Sequence, residues 1–490
     1  MRIHQILEKR AQDTPNARAM TDTLGLDWTY QDLQAKAEAF ADDLAGLGVV
    51  AGDRVLLIME NCAPVVATLF AASILGAAVI PFNARQTDAE ISRVIDHATP
   101  AVVLFTHTVS QNAADHAARF GAKPLTSSRN IVALARASDP EDVISDVATV
   151  LYTTGTTGAP KGVMLTHDNL IFGGTVSSAV RDITPADTLY GVLPISHVFG
   201  LASVVMASVL SGATIRIEPR FSPANLYKAL TEGVTLLSSV PQMLAQLMHY
   251  TAAQGHDTLP VKSLRYISSG AAPLDIDWKR KAERFFGLPL QNGYGMTEAT
   301  AGVCLTRHDR GNDDISVGKT FPGVDVKLDF AAPGGEGNVG EILVSGGGVM
   351  KAYFRNDIET AKAFTPDGWL RTGDLGEFDD DGNLHIRGRS KELIIHGGFN
   401  VYPPEVEAAL NDHPQVIQCA VIGVMEGGDE KVYAFVEASK SDWPDEESLR
   451  QFAAQRLAGY KRPSRIVVIE KLPAAATGKI LKSALPAFLD

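Results

Sequence analysis

Residues 153–163 read Thr-Thr-Gly-Thr-Thr-Gly-Ala-Pro-Lys-Gly-Val and follow an apolar run, Ala148-Thr-Val-Leu-Tyr152. This junction constrains the fold more than any other stretch of the chain. The apolar run reads as a buried strand. The segment after it packs four Thr, three Gly, one Pro and one Lys into eleven positions. Glycine tolerates positive φ, so successive backbone N–H groups can turn toward one point. Such a concave nest binds anions. The threonine hydroxyls add donors and Lys161 adds a full positive charge, so a polyphosphate is the matching guest. The common nucleotide loop G-x-x-x-x-G-K-[ST] does not fit. Pro160 stands where its second Gly belongs, and Gly162 follows Lys161 in place of Ser or Thr. The phosphates are therefore held in another architecture.

A chain of 490 residues is too long for one core and should divide into domains. The first 320 or so residues alternate helical patterns with short apolar strands such as Arg54–Ile58, Ala101–Phe105 and Ala213–Ile217. That alternation predicts α/β layers with largely parallel sheets. Gly and Pro become dense around Ala332–Gly337, and short strands such as Glu341–Val344 take over. Residues 316–390 then form a β-rich, barrel-like subdomain closing a large N-terminal domain, 1–390. Asp379–Asn383 has hairpin-turn chemistry and lacks the ligand spacing of a calcium loop. A smaller α+β domain follows over 391–490, with strands 419–423 and 432–436 and helices 403–411 and 446–457.

Net charge is −13, which excludes a nucleic-acid-binding face as the organising feature. Cys62, Cys304 and Cys419 are odd in number and far apart, so neither a disulfide nor a zinc site is expected. A reducing, cytoplasmic location follows from that. A catalytic thiol at Cys304 is the less favoured reading. Residues 63–82 are long and apolar enough to raise a membrane span, but Pro64, Gly76 and Pro81 predict a buried helix ending near Gly76 and then a strand. The first ten residues have the spacing of a surface helix, not of a leader. The final Phe-Leu-Asp is no peroxisomal address.

Five short motifs follow the loop in order: Pro194-Ile-Ser-His197, Tyr294-Gly-Met-Thr-Glu298, Thr372-Gly-Asp374, Gly388-Arg-Ser-Lys391 and Gly478-Lys479. With residues 153–163 they resemble, over nearly the whole chain, the signature of the adenylate-forming superfamily. That superfamily contains acyl-CoA synthetases, luciferase-like enzymes and the adenylation domains of peptide synthetases. The resemblance implies a large N-terminal domain and a small mobile C-terminal one. It also implies two half-reactions: a carboxylate attacks the α-phosphate of ATP, giving acyl-AMP and pyrophosphate, and the CoA thiol then attacks the acyl carbon.

Site roles follow from the same resemblance. Thr153, Thr154, Gly155, Thr156, Thr157, Gly158 and Lys161 would hold the β- and γ-phosphates. Glu298 would hold Mg²⁺, and Thr297 would contact the α-phosphate. Gly270, Ala271, Ala272, Asn292, Gly293 and Tyr294 would surround adenine. Asp374 and Arg389 would take the ribose. Lys479 would bridge substrate carboxylate and α-phosphate, with Lys482 as its rival. Lys391 would be the hinge, and Gly398 would lie along the CoA channel. His197, Phe199, Ser203, Gly295, Gly302 and Val303 would line the acyl pocket, with His197 a wall or gate.

The segment after Pro194 carries no Asp before Ser203, which disfavours an amino acid as substrate. No cation stands next to Tyr294, which ranks a dicarboxylate lower. The expected protein is an acyl-CoA synthetase acting on a medium-chain aliphatic or aryl monocarboxylic acid, of the kind fatty acid metabolism uses. Its partners are that acid, ATP, Mg²⁺ and CoA, with no nucleic acid and no membrane segment; a homo-oligomer stays open. The alternatives are an acyl-AMP ligase serving a carrier protein, a non-catalytic nucleotide-binding sensor, and an ATPase or kinase.

Overall fold

The computed structural model describes residues 1–154, 160–259, 261–270, 274–300, 302–474 and 480–489, leaving aside the side chains of 154 and 160. Among these residues two large sheets dominate the N-terminal part. In the nine-stranded sheet the central strands Leu290–Tyr294, Tyr266–Gly270, Leu236–Ser239, Thr188–Gly191, Thr214–Ile217 and Arg18–Thr21 run parallel. In the eight-stranded sheet Val147–Thr154, Ala78–Asn83, Arg54–Met59 and Val102–Phe105 run parallel. Helices cover both faces of such strands, so they read as continuous apolar runs without alternation.

Local sequence explains the helices between them. Ala63–Leu75 has Pro in its first turn and ends at Gly76 with φ 74°. Proline costs nothing where the N–H is already orphaned, and glycine accepts the left-handed cap. Its residues from Ala63 to Ser73 are buried within the protein core. Among the described residues no helix is long and apolar enough to cross a membrane. Capping boxes start Tyr30–Gly46 at Thr29, Asp88–Ala98 at Thr87 and His167–Val180 at Thr166.

The β-rich part differs in detail from a barrel. Val324–Asp329, Gly340–Gly346, Leu370–Phe378 and Leu384–Arg389 pair in an antiparallel row, with no pairing between its two ends among the described residues. Lys319–Thr320 and Ala352–Tyr353, within the same span, join the nine- and eight-stranded sheets instead. The turn at Asp379 forms as expected, with the Asp379 carboxylate accepting from the Asp381 and Asn383 N–H groups. Beyond it lie the hairpin Ile394–His396 and Phe399–Val401 and a three-stranded sheet of Gln418–Glu426, Asp429–Glu437 and Arg465–Ile469. Helix Pro403–Asn411 matches expectation, whereas the second helix, Glu446–Ala454, stops three residues short of 457.

Candidate active site

The two large sheets meet where their parallel strands end, the usual place for a ligand crevice in α/β proteins. Tyr353 joins them. It pairs with Val163 at the edge of one sheet, and its hydroxyl donates to Glu298 Oε1 at 2.8 Å, just past the last parallel strand of the other. Lys161 Nζ lies 4.9 Å from the Tyr353 ring centre and 2.5 Å from Glu359 Oε2. Thr153 sits opposite Lys161 in antiparallel register. The Lys161 hydrogen bond holds the Glu359 carboxyl down at about 2. Burial, and then the Glu298 charge, push the Tyr353 hydroxyl far up, so it stays a donor. Sequence reasoning missed both Tyr353 and Glu359. Neither belongs to a motif named above, and only tertiary contact brings them to Lys161 and Glu298.

Thr297 is buried and opens the short turn Thr297–Ala299 that carries Glu298. Among the described residues no group of three or more His, Cys, Asp or Glu side chains converges on a metal position. Glu298 therefore offers a single carboxylate. That fits a hard cation completing its shell from phosphate oxygens and water.

A second cluster joins the sheet end to the β-rich part. Asp374, 6% exposed, accepts from the Tyr294 hydroxyl at 2.5 Å, and Arg389 Nε lies 3.2 Å from its other oxygen. Asp374 and Arg389 are cross-strand partners. Thr372 donates to Ile342 O at 2.8 Å and accepts from Asp374 N–H at 3.0 Å, which fixes the turn. Burial, with the Asp374 charge next, raises the Tyr294 hydroxyl well above its ordinary value.

Gly270 and Gly293 are paired strand ends, and a Cβ at Gly270 would lie 3.5 Å from both Gly293 O and the Phe199 ring. The expected nucleotide and acyl segments thus touch here. Asn292 stands near the end of the strand Leu290–Tyr294. It is buried, and its amide donates to Ser316 O at 2.9 Å, bracing the following loop.

In the acyl segment, His197 caps a short helical turn, its Nδ1 accepting from Phe199 N–H at 3.2 Å, so the tautomer is Nε2–H. Ser203 lies in a π-helical run, Leu201–Met206, and is buried, as is Val303. Gly295 is exposed. Gly302 packs closely on the Phe321 ring, which a Cβ there would strike at 2.0 Å. Cys304 is buried and burial pushes its thiol far up, which removes it as a nucleophile.

Lys391 is exposed in the turn Ser390–Glu392 that follows Arg389. Lys482 lies 3.0 Å from Glu392 and 2.8 Å from Glu407, which ties the C-terminal segment to that turn. It is a structural cation here. Gly397 and Gly398 form the exposed hairpin tip with φ 59° and 82°. Any side chain at 398 strains that turn, so a bulky substitution there tests the backbone before it tests a CoA channel. The small domain touches the large one at Asp412, whose carboxyl faces that of Asp275. Gly155, Thr156, Thr157, Gly158, Ala271, Ala272 and Lys479, with the Thr154 side chain, lie outside the described residues.

Residues 7–354 match the AMP-binding enzyme family, and residues 405–479 match the AMP-binding enzyme C-terminal domain. A feruloyl-CoA synthase from Amycolatopsis sp is 34% identical, over 97% of this chain and 96% of its own. O-succinylbenzoate CoA synthetase from Bacillus subtilis, in complex with ATP and magnesium ion, overlays with TM-score 0.83 at 29% identity, covering 98% of this chain and 99% of that one. MatB from Rhodopseudomonas palustris, 30% identical and covering 99% of this chain and 98% of its own, overlays at 0.84 in its ATP-bound form and 0.73 in its apo form. The chain belongs to the adenylate-forming superfamily, among its AMP-forming acid–CoA ligases.

Proposed function

We propose that this protein activates an aryl or medium-chain aliphatic monocarboxylic acid to its acyl-AMP and transfers the acyl group to CoA, releasing pyrophosphate and AMP. The observation that carries this reading is the convergence of Lys161, Glu298, Tyr294 and Asp374 on the ends of two sheets, beside the Phe199 wall. Asp374, held by Tyr294 and Arg389, would accept from ribose hydroxyls. Lys161 would leave Glu359 for phosphate oxygens, countering charge as it moves to the leaving pyrophosphate. A magnesium ion on Glu298 would supply charge neutralisation of those phosphates. His197, held as the Nε2–H tautomer, orients the acyl wall. The feruloyl-CoA relative supports the aryl half of the substrate range.

The reaction needs a clear path for CoA after adenylation, and one lysine cannot occupy that path throughout. The closer overlay on an ATP-bound relative supports a pose of the small domain that serves the first half-reaction. A panel of carboxylic acids assayed for pyrophosphate, AMP and CoA consumption tests the proposal. AMP, pyrophosphate and thioester in equal amounts are expected. ADP as product, or acyl-AMP without thioester at saturating CoA, overturns it.

A further inference from the structure

Arg181 carries a positive charge into the protein interior. It caps the C-terminal end of His167–Val180 and is only 5% exposed. Its Nε donates to Ser177 O at 2.7 Å, one terminal nitrogen donates to Ser238 Oγ at 3.0 Å, and the other donates to the Ser203 carbonyl. These use three of the five N–H donors of a guanidinium. Among the described residues no carboxylate balances it; the neighbouring titratable group is Tyr266. Burial lowers its pKa to about 10, which still leaves it charged. A buried, unbalanced guanidinium is costly and is normally paired.

Strand register places this charge. Ser238 pairs with Ser268, and Ser268 stands two residues before Gly270. Alternate residues share a sheet face, so Tyr266, Ser268 and Gly270 point the same way, with Ser238 beside them. Gly270 is the position lying against Phe199. Two strand residues advance about 7 Å, so Ser238 stands roughly that far behind the Phe199 level, on the same face. Ser203, whose carbonyl takes the other terminal nitrogen, lies one turn beyond Phe199 in the π-helical run. π-helical turns concentrate at functional positions. The Tyr266 hydroxyl, two further residues deep on this face, is buried and has no hydrogen-bond partner among the described residues.

We infer that Arg181 is a specificity-determining residue at the far end of the acyl site, where it takes an oxygen acceptor carried by the acid remote from its reacting carboxylate. The inference rests on the proposed acid-activating function and narrows its substrate class to acids with an oxygenated far end. A neutral hydroxyl or ether oxygen and a second carboxylate present the same acceptor chemistry. No cation near this position was legible in the sequence, because Arg181 follows a helix far from every motif.

The test compares kcat/KM, read as pyrophosphate release, for 3-phenylpropenoate and its 4-hydroxy, 4-methoxy and 4-carboxy derivatives. The wild-type protein should prefer an oxygenated acid by about tenfold or more, the scale of losing one hydrogen bond to a charged group. Arg181→Met should bring the ratio near one, and Ser238→Ala should lower it severalfold. The ratio is internal to each variant, so partial misfolding cancels. Preference for a hydroxy or methoxy acid supports the assignment with a monocarboxylic substrate. Preference for the 4-carboxy acid supports Arg181 and overturns the monocarboxylic part of the proposed function. Equal wild-type turnover of all four, or an unchanged ratio in Arg181→Met with a lowered Tm, overturns the assignment and leaves Arg181 a clamp on the π-helical run. Release of pyrophosphate with none of the four acids, nor with any acid of a wider panel, sinks the proposed function itself.

Discussion

Tyr294 donates its hydroxyl to Asp374 across 2.5 Å, joining the end of a parallel strand to a β-rich unit eighty positions later. The bond sets the carboxylate that the ribose would meet. It also fixes the orientation of the Tyr294 ring, which under the proposed function would face the base.

Tyr294→Phe keeps the ring and removes the donor. Asp374 then stays buried with one oxygen less well satisfied, and losing a hydrogen bond to a charged group costs about 1.5–3 kcal/mol. The KM for ATP is expected to rise about tenfold or more, with a smaller effect on the KM for the acid. Equal increases in both constants would show that the bond serves general packing.

Lys161 and Glu359 form the second testable pair. ATP phosphates must compete with Glu359 for Lys161, so Glu359→Gln should lower the KM for ATP by about a few-fold, the scale of a partly exposed ion pair. The Glu359 carboxyl is depressed to about 2 by Lys161. A depressed acid favours the folded contact above its unfolded value and loses that advantage only as pH falls through about 2. The pair therefore persists across pH 5–9, and the wild-type to variant ratio should stay flat over that range. A ratio that changes with pH there assigns the effect to another group.

Asp412 gives a pH-dependent prediction. Burial first, and then the facing Asp275, raise its carboxyl from 3.8 to about 6, with Asp277 adding and Arg456 at 4.0 Å opposing. One of its oxygens is buried without a donor among the described residues. A raised acid binds its proton more tightly in this domain arrangement. The arrangement is favoured fully below about 4 and loses that advantage as pH rises through 6. The ratio of adenylation to thioester rate should fall between pH 5.5 and 7.5 in the wild type. Asp412→Asn should flatten it, measured on each half-reaction separately. The same slope in the variant would place the titration elsewhere.

Domain movement is tested by two variants. Lys391 is the second residue of the short turn Ser390–Glu392, where proline would fix φ at about −65°. Lys391→Pro should keep adenylation and lose most thioester formation. Lys479→Ala should make little acyl-AMP from ATP yet transfer supplied acyl-AMP to CoA nearly normally. Loss of both halves equally in both variants rules out a two-pose mechanism in which 391 is the hinge.

Much of this protein was legible in its chain. The strands at 54, 101, 148 and 213, the buried helix ending at Gly76, the turn at Asp379 and the order of the motifs all follow from local pattern. Each depends on neighbours a few residues away, through side-chain period, φ preference and capping. The partners of those motifs were not legible. Tyr353 and Glu359 reach Glu298 and Lys161 because strand order in two different sheets brings them there. The Asn292 contact to Ser316 and the Gly302 contact to Phe321 arise from loops folded against them. Arg181 became a buried charge because a helix end landed beneath strand Leu236–Ser239. Short-range chemistry chooses the elements. Which side chains meet depends on sheet order and on burial, and both arise only when distant segments close on one another.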